Sequence, residues 1–233
     1  MQTTLHNFLF FNDNPDSIFS VLTREQLKEL NETSVLKKIK KGDLIFKEGE
    51  LPKGLIFLLK GSAKVYKTAE GRREQIVRLI KPSCFVGYKA LFAEHAHTTS
   101  AEAIENSELI IYNKQVLYEI LEQNSVFSKE IIKALANELG FNYNRIINLT
   151  QKHIRGRLAE TLLLIKDIYG IEDDGKTLKA KFTRENIAHF SNMTTSNAIR
   201  TLKTFSDEKL IYTDGRKITL LNIPLLEKIS KTG

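Results

Sequence analysis

The chain has 233 residues, 42% apolar and 27% charged, an ordinary globular mix with length for one large domain or two of average size. Lys and Arg number 35 against 28 Asp and Glu, and the net charge of +7 favours polyanionic partners. A single cysteine excludes an intramolecular disulfide and any Cys-clustered zinc or iron–sulfur centre, and it suits a reducing cytoplasm, the expected location.

In chain order, the opening MQTTLHNFLFFNDNP has neither the basic region nor the cleavage pattern of a targeting peptide. No apolar run approaches the ~18 residues of a membrane helix, so no membrane contact is expected. Residues 1–34 are mixed in texture, and Thr23 opens a helix-like stretch with Leu27 and Leu30 a turn apart. Residues 35–112 predict β structure. Short apolar and β-branched runs, Asp43–Lys47, Leu55–Leu59, Ala63–Thr68, Gln75–Ile80, Thr99–Ile104 and Glu108–Tyr112, alternate with Gly42, Gly49, Gly54, Gly61, Gly71 and Gly87. Many short strands at even spacing predict a small barrel or roll.

Residues 113–170 predict helix. Ile132, Leu135, Leu139, Asn142, Ile146 and Leu149 recur in steps of 3, 4, 3, 4 and 3, a heptad seam. A strict seam pairs a helix with its twin. The alternative, packing on its own domain, needs a wider stripe, for which Ile131, Phe141 and Ile147 are candidates. Asn142 is polar within the seam, as a residue that fixes register or faces a ligand would be. A further helix over Arg157–Tyr169 follows a hinge near His153–Gly156, and GIEDDG at 170–175 reads as a turn. The expected division is therefore 1–150 and 151–233.

Residues 151–233 hold 15 basic and 10 acidic side chains, so most of the positive excess lies there. Thr183 can cap a short helix carrying Ile187, Ala188 and Phe190, and Thr194 can cap a second after a turn at Ser191–Asn192–Met193. In the second helix Ala198, Ile199, Leu202 and Phe205 are expected on the buried face. Ser196, Arg200 and Lys203 are expected opposite them, with Thr195 and Asn197 in the first turn. That is the layout of a helix-turn-helix, whose second helix enters a major groove by a small polar N-terminal end. Arg200 can fork onto guanine O6 and N7. Thr183 and Thr194 can donate to phosphates where helix amides also point. Two β-prone runs flank Asp214–Gly215, a hairpin signal that turns the motif into a winged helix, with Arg216 and Lys217 at the tip reaching phosphates. A helical pair serving protein contacts is the bland alternative.

These parts, in this order, resemble the CRP/FNR family of bacterial transcription regulators over nearly the whole chain. KKIKKGDLIFKEGELPKGLIFLLKGSAKVYK (37–67) is similar to the family's cyclic-nucleotide-binding roll, and FVGYKALF (85–92) with TTSAEAIENSEL (98–109) to its phosphate-binding cassette. GRLAETLLLI (156–165) resembles the helix after the hinge, and FTRENIAHFSNMTTSNAIRTLKTF (182–205) the helix-turn-helix. The resemblance implies an α+β fold: an N-terminal double-stranded β-roll of cyclic-nucleotide-binding jelly-roll type, a long central dimerisation helix and a C-terminal winged helix-turn-helix. It also implies a homodimer on a pseudo-palindromic operator in double-stranded DNA, contact with RNA polymerase, and a small effector.

The departures bear on that effector. Where cAMP-binding members place a Glu for the ribose, this chain has Tyr88. Where they place an Arg-Ser pair for the cyclic phosphate, it has Thr98–Thr99. Losing a bidentate cation removes a strong contact to the anion, which argues against cAMP. Cys84 alone cannot supply an iron–sulfur cluster and reads instead as a buried small apolar residue. His95 and His97 share a face only if their segment is extended, and a hairpin loop explains them equally, so neither haem nor a metal is expected. Gly87, Tyr88, Thr98, Thr99 and Asn142 would line an effector cavity of unknown occupant, or one filled by side chains. At the start of the second helix, Thr195 and Ser196 stand where the cAMP regulator has an Arg-Glu pair, so a different operator is expected.

Two classes of function follow: a ligand-responsive transcription regulator, or a sensor of nucleotide-like ligands acting through protein contacts without DNA. No nucleophile–His–acid order, paired carboxylates or Walker loop points to an enzyme.

Overall fold

The computed structural model describes residues 18–69 and 73–232. The opening segment to residue 17 and the turn at Gly71 lie outside the described residues. The chain forms two compact units: residues up to Ser62 with Pro82–Asn142, and Ala63–Lys81 with residues from Tyr143 on.

In the first unit, a 3-10 turn at Ile18–Val21 leads into α1 (Arg24–Glu32). Thr23 caps α1 by a reciprocal bond with Gln26, a capping box that satisfies two otherwise orphaned amides. The main sheet is antiparallel in the order β1 (Val35–Ile39), β8 (Ser107–Asn113), β3 (Gly54–Lys60), β6 (Cys84–Val86). β3 and β8 register Ile56 opposite Ile111 and Phe57 opposite Ile110. β2 (Leu44–Phe46) pairs with β7 (Ser100–Ala103). Six expected runs became strands within two residues of their expected ends; β1 and β6, short and poorly alternating, escaped the pattern.

Glycine is needed structurally at two of these corners. A Cβ on Gly54 would lie 2.1 Å from the Tyr112 carbonyl oxygen, and one on Gly61 would strike Asn106 and Ser107 while φ is +90°. The core beneath the sheet joins Phe19, Leu30, Leu55, Phe57, Leu91, Ile110, Tyr112, Leu117 and Phe127. Phe19 sits at its centre, edge-on to Phe57, Phe85 and Tyr112. Burial pushes the Tyr112 hydroxyl pKa far up. A short α2 (Tyr88–Phe92) and α3 (Lys114–Gln123) complete this unit.

The long helix α4 runs from Ser125 to Gln151, starting in the first unit and ending in the second. Phe127 and Ile131 enter the first core, and Leu135 packs on its edge. Phe141 and Ile147 do not supply the width that packing on the chain's own domain would need: both are exposed. They lie outside the stripe set by Phe127, Ile131 and Leu135, which follows the i, i+4, i+8 ridge.

The second unit is built on α5 (Ile154–Tyr169), which begins three residues earlier than its expected start at Arg157, the two helices being separated by Lys152–His153. Gly156 does not interrupt it, because it is buried inside the helix. α6 (Arg184–Phe190) and α7 (Thr195–Asp207) follow, then the β9 (Ile211–Asp214) and β10 (Lys217–Leu220) hairpin and α8 (Ile223–Thr232), which packs on α5. Leu158, Leu162, Phe182, Ile187, Phe190, Leu202, Phe205 and Leu226 form the core. The hairpin of β4 (Ala63–Thr68) and β5 (Glu74–Ile80) belongs to this unit, where Gln75 donates to the His189 carbonyl at 2.7 Å. The expected turn at 170–175 is closed by Asp174, whose bonds from the Thr177 hydroxyl and the amides of Thr177 and Lys176 pull its pKa down to about 2. Among the described residues no helix is long and apolar enough to cross a membrane.

Candidate nucleic-acid interface

α6 and α7 are short helices that the sequence starts by capping. The Thr183 Oγ accepts from the Asn186 amide at 3.0 Å and the Thr194 Oγ from the Asn197 amide at 3.2 Å. Each hydroxyl keeps its own hydrogen to donate outward. The turn between the helices is fixed by Ser191, fully buried, whose hydroxyl donates to the Ile187 carbonyl at 2.6 Å, and by Asn192 at φ +51°. Asn tolerates this left-handed conformation better than most residues.

The back of α7 buries Ala198, Thr201, Leu202 and Phe205. Ile199 does not belong to it. It is 52% exposed, on the same outward stripe as Ser196, Arg200 and Lys203. Thr201 takes the inner place instead, because its hydroxyl is satisfied by the Asn197 carbonyl at 2.8 Å and its methyl can then face the core. Thr195 and Asn197 are half-buried in the first turn. Asn197 Oδ1 accepts a hydrogen bond from Arg200 Nη2, so its side chain holds the guanidinium one turn further along the helix.

The hairpin turns at Gly215, whose φ is +53°, and Lys217 pairs with Asp214 across it. Glycine at the first central position suits a two-residue hairpin turn. Arg216 and Lys217 are exposed at this tip. Sequence reasoning missed the group that steadies it. Arg184, first residue of α6, donates from Nη2 to the Gly215 carbonyl at 2.9 Å, and burial lowers its pKa. No local spacing joins two residues 31 apart.

A second missed residue is Arg145 near the end of α4. It is buried, donates from Nη2 to the Phe190 carbonyl at the end of α6, and lies 4.0 Å from the centre of the Phe190 ring. Burial pushes its pKa down to about 10, so it remains cationic at neutral pH. Glu160 gathers Lys152 at 2.8 Å, Asn148 at 3.1 Å and Ser230, tying the end of α4, α5 and α8 together. Arg155 forks onto Glu208 at 2.7 and 2.8 Å, joining α5 to the end of α7 and raising its own pKa through that hydrogen bond.

In the first unit, Gly87 precedes α2 with φ +78°. A Cβ there would lie 2.9 Å from Phe46 and 3.0 Å from His97. The Phe46 and His97 rings are stacked, 3.8 Å between centres. Tyr88 and Thr99 are half-buried, Thr98 is exposed, and Asn142 is half-buried on α4. The space over Gly87 is taken by the Phe46 and His97 rings, and Lys89, the cation of the stretch 85–92, is paired with Glu138 at 3.1 Å. His95 and His97 do not share a face: the chain turns at Glu94, leaving His95 exposed and His97 buried. Cys84 is half-buried rather than buried, at the end of β6.

Along α4, Ile132, Leu139 and Ile146 are 65%, 52% and 58% exposed, while Leu135, Asn142 and Leu149 are half-buried.

Comparison with known proteins agrees with this architecture. Residues 36–124 match the cyclic nucleotide-binding domain model and 156–229 the Crp-like helix-turn-helix domain model. Electron transport regulator A of Shewanella oneidensis is 26% identical over 203 residues, 86% of this chain and 81% of that protein. The anaerobic regulatory protein of Bacillus subtilis is 26% identical over 186 residues, covering 79% and 77%. In fold, the chain is similar to FixK2 from Bradyrhizobium japonicum, with a TM-score of 0.77 and 18% identity over 86% of this chain and 98% of that one. With an antiparallel β domain, a long helix and a winged helix-turn-helix in this order, the chain belongs to the CRP/FNR family of DNA-binding transcription regulators.

Proposed function

We propose that the protein is a cytoplasmic homodimer that binds a pseudo-palindromic operator through α7 and the β9–β10 wing, and does no catalysis. The outward stripe of Ser196, Arg200 and Lys203 on a firmly backed helix carries this reading. A major groove admits such a helix, and Arg200, held by Asn197, has the donors to fork onto a guanine. Thr183, Thr194, Arg216 and Lys217 serve the phosphates, and Thr195 and Ser196 lie where the helix end meets base edges.

Ile132, Leu139 and Ile146 supply the seam for a second copy, since three large apolar side chains on one helical line are costly to leave in water. Two copies would set the half-sites about one turn of DNA apart. The effector, if one acts, is a small molecule other than cAMP, sensed near Gly87, Tyr88, Thr98 and Thr99. RNA polymerase is the expected protein partner.

The test is selection from a pool of random duplexes at moderate salt, with the mass of the complex measured in solution. Enrichment of a two-fold symmetric sequence bound by two chains supports the proposal. Failure to enrich any sequence, or binding by one chain, defeats it.

A further inference from the structure

We infer that Ile199 is a specificity-determining residue that reads the 5-methyl group of a thymine in each half-site. The inference rests on the proposed operator binding by α7.

Helical geometry places residues i, i+3, i+4 and i+7 on one face, and Ser196, Ile199, Arg200 and Lys203 stand at those positions. Three of the four are polar or charged, as a solvated face requires. Ile199 alone is large and apolar, and it is 52% exposed at the middle of the stripe. It does not serve the protein's own core, which Ala198, Thr201, Leu202 and Phe205 fill from the other side. Nor is it a favoured helix former, because its branched Cβ restricts χ1 against the preceding turn. An exposed isoleucine therefore adds little to the free chain.

Against DNA the same properties become useful. The thymine methyl is the one apolar group that the bases present in the major groove, and aliphatic side chains are its natural partners. A side chain already fixed at χ1 loses little freedom on contact. Its neighbour Arg200 is held by Asn197, so the guanidinium and the isoleucine side chain advance into the groove as a pair of fixed geometry. One would take a guanine by hydrogen bonds, and the other a thymine in an adjoining base step by burial of a methyl group. Ser196, one turn before Ile199, is too short to compete for that space.

The experiment uses the full chain and the operator that it enriches. Each thymine is replaced in turn by uracil, which removes the methyl and leaves every pairing group unchanged. Affinity is measured at fixed salt for the wild type, Ile199→Ala and Ile199→Val. Burying one methyl group predicts a loss of about fourfold per half-site for the wild type at one thymine. Ile199→Ala should lose a similar factor on the thymine operator and nothing more on uracil, with Ile199→Val between the two. Because the side chain is exposed, the thermal midpoint of each variant should match the wild type, which separates reading from folding. Wild-type binding indifferent to every thymine-to-uracil exchange overturns the inference, as does Ile199→Ala that stays as sensitive as the wild type. In either case Arg200→Ala still losing the operator leaves the DNA-binding proposal standing, whereas failure to enrich any sequence removes both.

Discussion

Arg200 and Lys217 are both exposed cations of the helix-turn-helix unit, and the proposed DNA contact gives them different work. Arg200 is held on the outer face of α7 by Asn197, and a fixed guanidinium reads geometry. Lys217 stands at the wing tip, where an ammonium on a flexible stem acts as a point charge. Arg200→Ala should therefore cost the operator about fivefold or more per half-site, on the order of 1–3 kcal/mol, with little change on unrelated duplex. Lys217→Gln should weaken both alike and lower the salt slope by about 2 for a dimer. Competition titrations over a range of salt measure all four quantities, and an equal loss for Arg200→Ala on both duplexes would deny it a base.

His97 has a different consequence. Burial against Phe46 lowers its pKa, opposed by Glu50 and assisted by His95. Its folded-state value lies below that of the unfolded chain, so between the two values the unfolded state binds more protons and is favoured by acid. Its contribution to stability is present above the unfolded value of 6.5 and is lost as pH falls through the folded one. Urea denaturation at pH 7.5 and 5.5 should show a loss on acidification that is smaller in His97→Asn; an equal loss in both would remove His97 as the source.

At the scale of elements, helices that begin with a cap and strands that end at glycines were legible, because those signals lie within a few residues. Thr23, Thr183 and Thr194 each cap the helix expected of them. Asp214–Gly215 marks the hairpin that forms. The side of α7 on which Ile199 falls was not legible from hydrophobicity. The expected apolar face counted Ile199 and omitted Thr201, while packing chose the residue whose hydroxyl finds a backbone partner. The link between α4 and α6 was equally hidden. Arg145 joins Phe190 across 45 positions, and no periodicity announces a buried guanidinium. Arg145→Met keeps most of the apolar stem but leaves the Phe190 carbonyl without that donor. It should destabilise the protein by about 1–3 kcal/mol in urea. A change within ~0.5 kcal/mol would mean that water replaces the bond.

For the whole molecule, the seam of α4 gives the plainest prediction. Leu139 is half exposed in the single chain, so Leu139→Asp should leave the protomer folded. In the proposed dimer the same change would bury a charge between two copies, which costs several kcal/mol unless the pair separates. Sedimentation should show monomers, and operator affinity should fall by at least tenfold because two linked half-sites become two independent ones. A stable Leu139→Asp dimer would place the seam elsewhere.

The sequence by itself determined the caps, six of the strands and the winged motif, which are written in spacings of one helical turn or one hairpin, and its motifs carried the resemblance to the CRP/FNR family. It also shows Thr98–Thr99 where the resemblance implies an Arg-Ser pair in cAMP-binding members, a departure visible without coordinates. The tertiary structure decided which side chain of α7 faces outward, which rings close over Gly87, and which arginines hold α6 and the wing in place. Each of these depends on groups distant in sequence competing for one space or one hydrogen bond, and that competition is settled only when the chain is packed.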